Sequence, residues 1–121
     1  MEKIVLPGGN HLILECVGGD VEILKDVKRI QIILEESARR AGAYVLHSYM
    51  HHFGGDYGVT GLICLSESHI SIHTWPENNY SAIDIFMCGN CDPQISADYI
   101  INQFGCTAKI TALKRKIPLS A

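Results

Sequence analysis

Two short stretches, HISIHTW at residues 69–75 and YSAIDIFMC at residues 80–88, decide how this chain folds. In an extended chain successive side chains point to opposite faces. Ile70 and Ile72 therefore point one way, and His69, Ser71, His73 and Trp75 the other. In the second stretch Ile83, Ile85 and Met87 share a face, while Tyr80, Ala82, Asp84, Phe86 and Cys88 share its opposite. Pro76-Glu77-Asn78-Asn79 lies between them as a turn, which predicts an antiparallel hairpin. VTGLICL, just upstream, alternates as well, with Thr60 and Cys64 opposing Val59, Ile63 and Leu65.

The same reading extends outward. After the Gly8-Gly9 loop, HLILECV puts Leu12, Leu14 and Cys16 on one face, and Gly18-Gly19 ends the strand. From Val21 to about Ala41, apolar residues recur at Ile23, Leu24, Val27, Ile30, Ile33, Leu34, Ala38 and Ala41. These intervals of three and four predict one amphipathic helix, with Asp20 as its N-cap and Gly42 as its stop. Residues 43–53 form a strand closed by the turn Gly54-Gly55-Asp56, and further extended segments span roughly 58–66, 69–75 and 80–88. Asp92-Pro93 opens a second helix to Phe104, Gly105 stops it, and Cys106 to Lys114 closes the chain as a strand. The fold class is α+β: a two-layer sandwich, mainly antiparallel sheet, with two helices on one face. The aliphatic faces belong under the helices, which leaves Thr60, His73 and Cys88 on the uncovered side beside Trp75, Phe86 and Tyr80. That surface is too apolar to leave to water, so a second copy is expected to cover it. The expectation is a dimer pairing sheet faces, with the site between them.

The chain is 121 residues long, the size of one domain (1–121), and its 47% hydrophobic content suits a packed core. Thirteen acidic against ten basic residues give a net charge of −3. The basic cluster Lys114-Arg115-Lys116 is far short of a nucleic-acid footprint, so no nucleic-acid partner is expected. No apolar stretch approaches the roughly 20 residues that span a bilayer, and MEKIVLPGGNH has no apolar targeting core. Five cysteines, an odd number, follow no secreted disulfide pattern. These features predict a reduced, cytoplasmic protein without a membrane partner.

LSESHISIHTWPE, Leu65 to Glu77, is the least generic segment. Together with HLILEC, Phe53, YGVTG and AIDIFMCG (82–89), it resembles the prokaryotic pyruvoyl-dependent S-adenosylmethionine decarboxylase proenzymes, and the resemblance runs from Gly9 to about Phe104. It implies self-cleavage between Glu67 and Ser68 into a 1–67 chain and a 68–121 chain. Ser68 would become the pyruvoyl group that forms a Schiff base with S-adenosylmethionine, whose decarboxylated product supplies aminopropyl groups for spermidine. The resemblance also assigns His73 as the processing base, Thr60 as a hydroxyl assisting the ring intermediate, and Cys88 as the donor that reprotonates the substrate α-carbon. It assigns Phe53 and Glu77 to the adenine and the ribose hydroxyls.

The chemistry suits these residue types independently. Decarboxylating an amino acid needs an electron sink conjugated to its amine, and a ketone made from a serine supplies one without pyridoxal phosphate or a metal. Making that ketone needs polar help at an oxyanion and a base for an elimination. Taken one at a time, the same residues have plainer readings: Ser68 as a strand-entry serine, Cys88 as a small buried hydrophobe, Trp75 as packing and Glu77 as a solvated turn carboxylate. A rival class is a zinc protein using Cys88 and Cys91 with His69 and His73, His51 and His52 lying nearby in sequence. A closer rival is a decarboxylase of the same family acting on arginine or ornithine.

Overall fold

The computed structural model describes residues 7–118, so the start of the segment read for targeting lies outside the described residues. Six strands, β1 (Gly8–Val17), β2 (Val45–His52), β3 (Val59–Leu65), β4 (Ser68–Trp75), β5 (Tyr80–Cys88) and β6 (Thr107–Lys116), form one sheet. Its order is β2-β3-β4-β5-β1-β6, and every neighbouring pair is antiparallel. Two helices, α1 (Val27–Arg40) and α2 (Pro93–Phe104), pack on each other and on the sheet, α1 over β2 and β3 and α2 over β1 and β5.

The core lies where the alternation put it. Leu14, Ile63, Ile70, Ile72, Ile83 and Ile85 are fully buried, as are Ile30, Leu34, Ala38, Ala97 and Ile100 from the helices. A large aliphatic side chain contributes about 1.5–3 kcal/mol when fully buried. A surface ion pair such as Arg39–Glu35 is worth only about 0–1 kcal/mol. The aliphatic seal therefore decides the arrangement. Between the helices two buried hydroxyls satisfy each other in series: Ser96 Oγ donates to Ser37 Oγ at 2.9 Å, and Ser37 Oγ to the Leu34 carbonyl at 2.7 Å. This small contact lets α1 and α2 approach without stranding a polar group.

One element departs from the periodicity. The segment read as a single helix from Val21 is a 3₁₀ turn at Ile23–Lys25 followed by α1, which begins at Val27. Asp26 takes extended backbone and its side chain accepts from the Arg29 N–H at 3.0 Å, making it the N-cap. Asp20 instead accepts from the Glu22 N–H at 3.0 Å and stabilises the turn. Ile23 and Leu24 are buried in either arrangement, so the apolar spacing alone does not reveal the break. The second helix matches its expected ends: Asp92 caps the Gln94 N–H, Pro93 follows, and Gly105 closes it at φ 66°.

The two aspartates give a direct test of where the helix begins. Asp26→Ala should cost about 1 kcal/mol in urea denaturation, as expected for loss of an N-cap, and Asp20→Ala clearly less. The reverse ranking would mean that the helix starts at Val21.

Candidate active site

Leu65 pairs with Ser68 across the β3–β4 hairpin, which leaves Ser66 and Glu67 as a two-residue turn. Ser68 has φ 152°, and only Asn79 joins it as a non-glycine residue at positive φ among the described residues. Such a conformation costs on the order of 1–3 kcal/mol and persists only where the surroundings over-determine it. Here they do. Met87 pairs with Ser68, so β5 delivers Cys88 to the turn. The Cys88 backbone N–H donates to the Glu67 carbonyl oxygen at 3.1 Å, and its thiol donates to the same oxygen at 2.7 Å. Ser68 Oγ lies 3.0 Å from the Cys88 sulfur. On the other side of the turn, the Tyr44 N–H donates to Glu67 Oε1 at 3.1 Å, and the Ser66 N–H donates to the Tyr44 carbonyl at 3.0 Å. Hydrogen bonds from the Ser66 side chain and the Tyr44 N–H hold the Glu67 carboxyl below the usual carboxylate range.

A second group gathers at the far end of β4. Thr60 pairs with His73, and Thr60 Oγ1 sits 3.1 Å from His73 Nδ1. When Nδ1–H donates to that hydroxyl, Nε2 is left free to accept a proton. Both residues line a cleft of about 280 Å³ with Phe53, Tyr57, Trp75 and Glu77. Trp75 is 39% exposed and stacks on Tyr80 at 5.2 Å and 17°, while the edge of His51 packs on Phe53 at 4.7 Å. Trp75 thus borders the cleft instead of serving only as packing. Tyr57 was not singled out by the sequence reading; its signal was an aromatic next to a glycine-rich turn, which is common in ordinary loops.

The two groups are separate within one chain. Ser68 and His73 are five residues apart on one extended strand, about 16 Å at about 3.3 Å per residue. Ser68 and His73 therefore do not meet inside a protomer: an extended strand cannot fold back over five residues. Within one chain the residues of the zinc reading do not come together either. His69 and His73 share a face but stand about 13 Å apart on the strand. His69 packs edge-on against Phe86, and among the described residues no group of three or more metal-capable side chains converges.

A small α+β protein whose hairpin tip carries a strained serine, with its preceding carbonyl gripped by a cysteine, is the class that fold and site define. Comparison with known proteins narrows it. The profile of the S-adenosylmethionine decarboxylase family matches residues 10–116. An S-adenosylmethionine decarboxylase proenzyme of Thermodesulfovibrio yellowstonii is 40% identical over 111 residues, covering 90% of this chain and 82% of the relative. One from Pyrococcus horikoshii is 41% identical over the same length, covering 90% and 79%. The crystal structure of the adenosylmethionine decarboxylase from Aquifex aeolicus superposes with a TM-score of 0.83 at 30% identity, covering 97% of this chain and 98% of that one. The chain belongs to the S-adenosylmethionine decarboxylase family.

Besides Cys88 the chain holds four free cysteines, and their surroundings differ. A hydrogen bond from Cys16 pulls the Cys106 thiol below its ordinary range, and the buried Cys16 is pushed well above it by the same contact. Burial raises Cys91. Iodoacetamide at neutral pH should therefore label Cys106 ahead of Cys91 and spare Cys16, read by peptide mass mapping. If Cys91 reacts first, the hydrogen-bonded pair does not govern Cys106.

Proposed function

We propose that this chain is an S-adenosylmethionine decarboxylase proenzyme that cuts itself between Glu67 and Ser68, so that Ser68 becomes the pyruvoyl group. The observation that carries the reading is the grip on one carbonyl. The Glu67 oxygen accepts from two donors of Cys88 while the Ser68 hydroxyl lies beside it at a strained φ. Ser68 Oγ attacks the Glu67 carbonyl carbon, and the charge that develops on the carbonyl oxygen falls where the Cys88 N–H and thiol already point. The Glu67–Ser68 C–N bond then breaks and leaves an ester. A base removes the Ser68 α-proton, the newly formed main-chain α-carboxylate of Glu67 departs to leave dehydroalanine, and water adds to its imine tautomer, releasing ammonia and leaving the ketone. The pyruvoyl group supplies an electron sink for the substrate α-carbon as carbon dioxide leaves. Cys88, whose sulfur lies 3.0 Å from Ser68 Oγ, then returns a proton to the substrate α-carbon.

The base is the reason for a second copy. Thr60–His73 and Ser68–Cys88 lie at opposite ends of β4, and His73 is exposed, with Thr60 and Cys88 part-exposed, on the face that no helix covers. A two-fold pairing of open faces sets the His73 of one protomer over the Ser68 of the other, giving two sites per dimer. The cleft then completes the substrate site. Phe53, Tyr57 and Trp75 offer aromatic surface to an adenine, and Glu77 offers an acceptor to ribose hydroxyls. Arginine and ornithine carry neither group, so the cleft favours S-adenosylmethionine, and the product enters spermidine synthesis.

Mixing experiments separate these claims. Wild-type protein should run as two chains under denaturing conditions, and Ser68→Ala as one; active wild-type protein that stays intact would sink the proposal. His73→Ala alone should stall before the ketone forms. Co-expressed with Ser68→Ala, it should regain about a quarter of wild-type activity, because half the dimers carry one complete site. No regain, with mixed dimers demonstrated, would place the base within the protomer.

Cys88→Ala distinguishes proton donor from core residue. Loss of a small buried side chain alone would cost roughly 1 kcal/mol of stability and leave turnover intact. Loss of the donor should slow turnover and inactivate the enzyme progressively with substrate, because the proton reaches residue 68 instead. Mass spectrometry of the 68–121 chain should then show alanine at its start. Steady wild-type turnover with an unchanged mass would remove Cys88 from the role.

A further inference from the structure

Glu67 is anchored twice, through its carbonyl by Cys88 and through its side chain by Tyr44, and the second anchor has no part in the reaction steps above. A carboxylate in a two-residue hairpin turn is ordinarily free in solvent. This one reaches a backbone N–H 23 residues away at 3.1 Å, and the neighbouring Ser66 N–H donates back to the same residue at 3.0 Å. Residue 44 thus clamps the turn by donating at one atom and accepting at another. We infer that the Glu67 carboxylate is a positioning residue for self-cleavage, holding the scissile peptide plane so that Ser68 cannot relax from its strained backbone. The inference rests on the cleavage reading above.

The physical argument concerns rotation. With only the carbonyl held, the peptide between Glu67 and Ser68 could pivot about the Cys88 contacts and let Ser68 return to an ordinary extended φ. Fixing the Glu67 side chain to Tyr44 removes that freedom, and a strained residue persists only when its surroundings over-determine it. Pivoting would carry Ser68 Oγ away from the carbonyl carbon, and reaction rate is steeply sensitive to misplacement of that kind. The carboxyl is also held ionised by the Ser66 side chain and the Tyr44 N–H, so it is a strong acceptor at neutral pH.

The test follows freshly translated full-length precursor on denaturing gels. Glu67→Ala should slow cleavage about tenfold or more, the loss expected when a hydrogen bond to a charged group is removed. Glu67→Gln keeps an acceptor oxygen at the same reach and should stay within about threefold of wild type. Far-UV circular dichroism checks that each variant is folded; if the alanine variant is not, Glu67→Leu, of similar shape and without an acceptor, replaces it. Equal rates for wild type, Gln and Ala overturn the inference. So does equal slowing of Gln and Ala, which would assign the effect to charge and not to the bond with Tyr44. A wild-type chain that never cleaves rejects the parent reading instead, so the two failures are distinguishable.

Discussion

The structure depends on one constraint: a sheet can be sealed by helices on only one side of this small chain. Ile63, Ile70, Ile72, Ile83 and Ile85 occupy that side and are buried to completion. A slip of one residue in any central strand would turn its whole apolar set outward, so the register is strongly specified. The same alternation fixes the rest. With every second residue committed to the core, Thr60, His73 and Cys88 have nowhere to go except the open face. For these three residues chemistry and packing are separated by parity along the strand, whereas Ser68 shares the parity of Ile70 and Ile72, pairs with the buried Met87, and sits at the strand's start with a positive φ.

Cys88 shows how little extra structure the site requires. Its N–H and thiol meet the carbonyl that precedes Ser68, and its sulfur meets the Ser68 hydroxyl. Any group arising from residue 68 inherits those neighbours. On the reading proposed above, the side chain that assists the peptide rearrangement is already in place for the later proton transfer to the substrate. Such economy would let so short a chain hold two reactions at one address.

Much of this was legible in the sequence, because strict alternation in residues 69–75 and 80–88 leaves only one way to seat the isoleucines. The helix break at Asp26 was not, since Ile23, Leu24 and Val27 keep helical spacing across it while a capping side chain interrupts the backbone. The site divided in the same way. The family resemblance singled out Ser68, His73 and Cys88, and the extended reading of 69–75 already implied that Ser68 and His73 lie at opposite ends of one strand; what stayed hidden was the grip of Cys88 on the Glu67 carbonyl, which depends on the register of β4 with β5. The Tyr44–Glu67 contact was also hidden, because its donor is a backbone N–H, which leaves no trace in residue identity.

The sheet order has a consequence for the matured molecule. A cut after Glu67 assigns β1, β2 and β3 to one piece and β4, β5 and β6 to the other, yet β1 lies between β5 and β6. Three ladders, β3–β4, β5–β1 and β1–β6, then run between separate polypeptides, as does the helix contact through Ser37 and Ser96. The pieces are interleaved, so neither can leave without dismantling the core. While the chain is continuous, its folding is unimolecular. Once it is divided, recovery from denaturation becomes an encounter between two incomplete sheets, second order in concentration, and on the proposed reading without the serine that made the cut. A chain cut at that point is assembled once, from its precursor, and its lifetime is set by how slowly the interleaved core opens.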